Sequence, residues 1–170
     1  MWQRLLHLRL AVEDAAARTQ AYILGNIAVL ATVVVVGRDS EHLADGVLLL
    51  ACTVLVTFAA HVVAEAYANR VRSGRRPDRS SIVHSGRDSL PIVSSGIFPV
   101  LVLWMAAAGA VPFTAGFILA IASVIARFLF LGAIIGRLRG ESSSWRTQTA
   151  GVVLALLGVL LAGAELLLAH

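Results

Sequence analysis

Five apolar runs, each close to twenty residues long, limit what this chain can become. A hydrocarbon core about 30 Å thick is crossed by a helix of about 20 residues, and a lone segment satisfies its backbone there only as a helix. The runs fall at about Thr19–Gly37, Gly46–Asn69, Ser89–Ala108, Phe113–Gly136 and Thr147–Ala169. They predict an all-α polytopic membrane protein, with residues 1–170 forming one bundle of five transmembrane helices. Composition points the same way: 58% of residues are hydrophobic and 14% charged, where a soluble domain carries about a quarter charged.

The polar segments set topology. Residues Met1–Arg18 mix Trp2, Leu5, Leu6 and Leu10 with Arg4, His7 and Arg9, the pattern of an amphipathic segment lying in the interface. Glu13 and Asp14 interrupt it and no small-x-small site follows the first run, so a cleaved signal peptide is not expected. Arg38–Asp45 reads as a short acidic loop. Arg70–Arg87 reads as a basic loop, rich in arginine and serine and broken by Gly74 and Pro77. Pro91 is expected in the first turn of span three, where a missing N–H costs nothing, and Pro99 is expected to kink its middle. Gly109–Pro112 makes a tight, uncharged connection, and Arg137–Arg146 is a second basic loop. The positive-inside rule places the N-terminus and both basic loops in the cytoplasm and, after five spans, the C-terminus outside. This describes a multi-pass protein of the cell (plasma) membrane. Arg70, Arg72, Arg75, Arg76 and Arg79 are expected to attract anionic lipid headgroups. No aromatic residues interleave them, so a nucleic-acid partner is not expected.

Ionisable residues within spans are costly and usually turn away from lipid. In span two, Thr57, His61 and Glu65 recur at four-residue spacing on one helical stripe. On depth, His61 falls ~6 Å and Glu65 ~12 Å to the cytoplasmic side of the span's middle. Asn26 and Arg127 fall ~4 Å inward in spans one and four, and Ser94 and Ser95 ~6 Å inward in span three. One polar layer is therefore expected, with Arg127 pairing Glu65. Gly116, Ala120 and Ser123 continue the Arg127 stripe, and small residues there favour close helix contact. His61 and Glu65 have the spacing of two metal ligands, but no third His or Cys shares the layer, so neither metal nor cofactor is expected. Nothing in the sequence has the form of a catalytic motif, and no enzyme is expected. Cys52, the single cysteine, reads as helix filler.

Phe58-Ala59-Ala60-His61-Val62-Val63-Ala64-Glu65, followed by Leu90-Pro91-Ile92-Val93 and Pro99, resembles a family of small, uncharacterised actinobacterial integral membrane proteins. Tyr22 to Gly25 is similar too, so the likeness covers most of the chain. It implies a five-helix membrane domain and no established activity. The family pattern has an acidic residue where Ser94 stands here, a departure that bears on any role carried over to Ser94.

Two functions fit this reading, the first as the expectation and the second as its alternative. One is a small channel or transporter-like protein for protons or small ions, centred on His61, Glu65 and Arg127. The other is a non-transporting accessory or scaffold subunit of a larger membrane complex. Either favours a homo-oligomer or a partner membrane protein, with span five (Gly151 and Gly158 on one face) as the contact surface. The topology has a direct check: a cysteine replacing Ser73 should escape a membrane-impermeant thiol reagent added outside intact cells, and efficient labelling would reverse the orientation.

Overall fold

A computed structural model of the chain describes residues 2–37, 42–74 and 78–130, with the isolated positions 153, 156 and 160. The described residues are helical and contain no strand. In chain order the helices are α1 (Trp2–Val36), α2 (Leu43–Ser73), α3 (Arg79–Ala107) and α4 (Phe113–Leu129). Three stretches are long and apolar enough to cross a membrane: Ala15–Val36, Leu43–Arg72 and Arg79–Ala107. α4 is apolar but has only 17 residues. The expected span Thr147–Ala169 and the basic segment Arg137–Arg146 lie outside the described residues, apart from the three isolated positions.

The helix limits correct the expected loops. α2 continues through Arg70 and Arg72, and α3 already begins at Arg79, so the expected loop 70–87 shrinks to a short connection around Gly74–Asp78. Both ends have a local cause. Gly74 closes α2 at φ 66, a left-handed conformation that favours glycine, and donates its N–H to the Arg70 carbonyl at 2.9 Å. Asp78 opens α3: its Oδ1 accepts from the Ser81 amide at 2.8 Å and the Ser80 hydroxyl at 2.9 Å. These bonds, the Ser81 amide first, hold the Asp78 carboxyl below its ordinary range. A depressed carboxylate stabilises above its unfolded value, so this cap is complete at neutral pH and is lost as pH falls through the lowered value.

The early start of α3 also moves Pro91. It lies well inside the helix, as Pro99 does, and not in the first turn. Each proline removes a helical donor, from the Arg87 carbonyl and from the Ser95 carbonyl respectively. At the other end of the chain, Trp2–Val36 is one helix of 35 residues. The expected interfacial segment is thus continuous with span one, consistent with the lack of glycine or proline before Gly25.

Small residues set the packing order. α1 and α3 occupy the centre and each touches the other three helices, whereas α2 and α4 flank them and do not meet among the described residues. A Cβ on Gly25 would lie 2.7 Å from Ile92 Cα and 2.8 Å from Ser95 Oγ, so α1 and α3 approach nearly backbone to backbone. Gly46 seats Val36, Gly96 seats Val54 and Gly116 seats Ala106 in the same way. α2 is the most peripheral of the three long apolar helices, with 22% of its apolar window buried. The end of the bundle away from the α2–α3 tip is filled with aliphatic side chains, among them Val29, Val33, Leu50, Val54, Leu103 and Val124, and is closed below by Phe128.

Two alanine substitutions separate contact from conformation. Gly25→Ala should destabilise by about 1–3 kcal/mol, because the nearest obstacle is backbone that cannot rotate away. Gly86→Ala, whose Cβ would meet nothing within 4 Å, should stabilise by about 0.5–1 kcal/mol through helix propensity alone. Thermal unfolding in one detergent reads both; a Gly25→Ala variant as stable as the parent or more so would contradict the α1–α3 contact.

Candidate functional site

The glycine contacts fix the register between helices. With Gly25 against Ile92 and Ser95, Val54 against Gly96 and Gly116 against Ala106, a rise of 1.5 Å per residue places every other level. The expected polar layer divides into two tiers. Asn26, Thr57, Ser94, Ser95 and Arg127 share the first. His61 sits level with Ser89, about 8 Å nearer the α2–α3 tip, and Glu65 sits level with Ser85, a further ~6 Å along.

In the first tier, Arg127 reaches α3 and not α2. Its Nη2 donates to the Ser94 carbonyl at 2.7 Å, one residue before the carbonyl that Pro99 deprives of its donor. Tyr22 Oη donates in turn to the Arg127 carbonyl at 2.8 Å, so α1, α3 and α4 are joined at one level. An arginine near a span's centre costs about 2.5–3.5 kcal/mol on insertion scales. A hydrogen bond involving a charged group recovers about 1.5–3 kcal/mol, which makes this position tolerable without a carboxylate. Asn26 is fully buried; its Nδ2 donates to the Tyr22 carbonyl at 2.7 Å, and its Oδ1 has no protein partner. The hydroxyls of Ser94 and Ser95 return to the Pro91 and Ile92 carbonyls of their own helix. Thr57 is half-buried on α2.

The second tier follows the same logic with different partners. Glu65 pairs with Arg72 of its own helix at 3.0 Å, and its side chain keeps 21% exposure. The expected Glu65–Arg127 pair does not form: α1 and α3 stand between their helices, and each charge has a nearer partner. His61 is buried, at 8% exposure, on the stripe that carries Val54. Seven residues separate Val54 from His61 and Gly96 from Ser89, so the seam that begins as Val54 against Gly96 continues as His61 facing Ser89. Ser89 donates to the Ser85 carbonyl at 2.7 Å, and the buried Ser85 Oγ has no protein partner.

Among the described residues, the ion pair that joins separate helices involves residues outside the expected layer. Asp88, 4% exposed, accepts from Arg18 Nε of α1 at 2.9 Å on Oδ1, and His84 Nε2 lies 3.4 Å from its Oδ2. Sequence reasoning missed this pair because Asp88 stood at the edge of a supposed loop. The signal was available in Asp78 as an N-cap, which starts the helix early enough to bury Ser85, Asp88 and Ser89 at helical spacing. Among the described residues no group of three or more His, Cys, Asp or Glu is placed to hold a metal ion. Of the basic residues expected to meet lipid, Arg70, Arg72 and Arg79 are exposed, while Arg75 and Arg76 lie outside the described residues.

Double-mutant cycles distinguish the observed pairs from the expected one. Arg18→Leu and Asp88→Leu should couple by about 1 kcal/mol or more, because Asp88 alone would be left charged and buried. Arg127→Leu and Glu65→Leu should each destabilise but combine additively within about 0.5 kcal/mol. Coupling in the second cycle would mean that α2 and α4 meet after all.

No family model, no curated protein and no solved structure matches the chain, so its function is argued from the geometry above.

Proposed function

We propose that this chain is a non-transporting subunit of the cell membrane, a five-span scaffold that packs against copies of itself or a partner membrane protein. Its N-terminus and the α2–α3 tip face the cytoplasm, and its C-terminus faces outside. Arginine density supports that orientation. One observation carries the scaffold reading: Glu65, Arg127 and Asp88 are satisfied in small, separate sets on the α2–α3-tip side of an aliphatic core. Glu65 closes on Arg72, Arg127 on Ser94, and Asp88 on Arg18. Beyond them Val29, Val33, Leu50, Leu103 and Val124 fill the outer half among the described residues, where the Thr32 and Thr53 hydroxyls bond their own helices. Conduction needs a continuous polar path, and charges held in local pairs fix helix register instead. The broad exposed face of α2, with Leu48, Leu55, Val56 and Val63, is free for lipid or a partner.

Passage of protons or small ions is the second reading. What favours it is a set of buried polar atoms without protein partners, Ser85 Oγ and Asn26 Oδ1, lying on either side of the His61 level. Buried polar groups of this kind ordinarily hold water. Span five, outside the described residues, would have to supply the outer half of the path.

Proteoliposomes decide between the two. The scaffold reading expects vesicles carrying folded protein to be as tight to protons as empty ones between about pH 5.5 and 7.5. It also expects His61→Ala and Glu65→Gln to alter stability or a co-purifying assembly without altering flux. A pH-dependent proton leak that either substitution abolishes would replace the scaffold with a conductor.

A further inference from the structure

Along the first turns of α3 runs an open groove of about 500 Å³, lined by Arg79, Ser80, Val83, His84 and Arg87. We propose that this groove is a specific phosphate seat, occupied by the headgroup of an anionic phospholipid in the cytoplasmic leaflet. The proposal does not depend on whether the chain transports anything.

Four observations converge on it. The first is the balance of charge. Arg18, Arg72 and Arg127 each have a partner within the chain, whereas Arg79 and Arg87 have no ion pair among the described residues. Two unneutralised guanidinium groups at opposite ends of one groove call for an anion. The second is spacing. Arg79, Val83 and Arg87 recur at i, i+4 and i+8 on one helical face, so the arginines stand about 12 Å apart along the axis. Both side chains can bend inward over Val83, and guanidinium matches phosphate oxygens in bidentate geometry.

The third is depth. Counting about 20 residues back from Ala107 puts the edge of a 30 Å hydrocarbon core near Arg87. The groove then lies in the headgroup zone, with Arg87 at its inner end and exposed Ile82 and Val83 on the headgroup side of that edge. The fourth concerns the backbone. Asp78 already caps α3 through the Ser81 amide, so the site is made by side chains and owes nothing to a free helix end. His84 is tethered toward the helix bundle by Asp88. A phosphate above it would therefore sit directly over the Arg18–Asp88 contact that joins α1 to α3.

The test uses the full chain in a non-ionic detergent, titrated separately with phosphatidylglycerol, with phosphatidylcholine and with inorganic phosphate at constant ionic strength. Native mass spectrometry counts bound molecules. Saturable binding of phosphatidylglycerol over phosphatidylcholine is expected. Arg79→Gln and Arg87→Gln should each weaken it about fivefold, the value of one basic residue at such a surface. Arg79→Lys and Arg87→Lys keep the charge but lose the bidentate fork, so each should recover only part of it. Arg70→Gln makes the same charge change outside the groove and should leave affinity within about twofold. Both arginines are exposed, and an unchanged melting temperature of each lipid-free variant checks that folding is intact. If inorganic phosphate competes with phosphatidylglycerol, the seat reads the phosphate itself. If inorganic phosphate binds and the lipid does not, the occupant is soluble phosphate and the lipid assignment is overturned. Equal weakening by Arg70→Gln would reduce the effect to a diffuse basic field and overturn the site, as would indifference to both phosphatidylglycerol and phosphate.

Discussion

The close approach of α1 to α3 at Gly25 is the contact on which the other placements depend. With no Cβ at that point, Ile92 and Ser95 come within reach of the α1 backbone. That approach sets Arg18 beside Asp88 and leaves Tyr22 pointing at the Arg127 carbonyl. It also puts two helices between α2 and α4. Packing in lipid gains little from hydrophobicity, because acyl chains are as apolar as leucine; surface fit and hydrogen bonds choose the neighbours. A glycine that lets two backbones meet therefore governs helix order more strongly than any pair of opposite charges.

Polar groups are treated consistently throughout. Hydroxyls on Thr19, Thr32, Thr53, Ser89, Ser94, Ser95 and Ser123 all return to carbonyls of their own helix. This is the local solution available to a short polar side chain where water is scarce. Charges that are too large for it are graded by depth. Arg127, the deepest, takes the Ser94 backbone carbonyl, and Asp88 takes an arginine from another helix. Glu65, the nearest of the three to the α2–α3 tip, pairs with Arg72 two turns away on its own helix. An exposed pair of that last kind is worth about 0–1 kcal/mol, so it contributes little to folding.

Much of this arrangement was legible in the sequence. Twenty-residue apolar runs announced helices, and Asn26, His61, Gly116 and Ala120, singled out by type and spacing, are buried. What hydropathy does not encode is which helices touch. Pairing Glu65 with Arg127 assumed that opposite charges at similar depth would find each other across the bundle, and ignored partners available at shorter range. Asp88 was lost for another reason. A stretch dense in arginine and serine looks like loop by composition, while its capping residues, Gly74 and Asp78, mark helix ends only five residues from start to finish of the connection.

α3 carries the two internal prolines, and it is also the helix against which α1, α2 and α4 all lean. A ladder missing the rungs at Arg87 and Ser95 is most compliant at those two points. One lies beside the Arg18–Asp88 contact and the other beside the Arg127–Ser94 bond. Bending at a peripheral helix would displace that helix alone. Bending at this hub would carry three neighbours with it, so the prolines sit where any change in helix axis is shared by the whole described bundle.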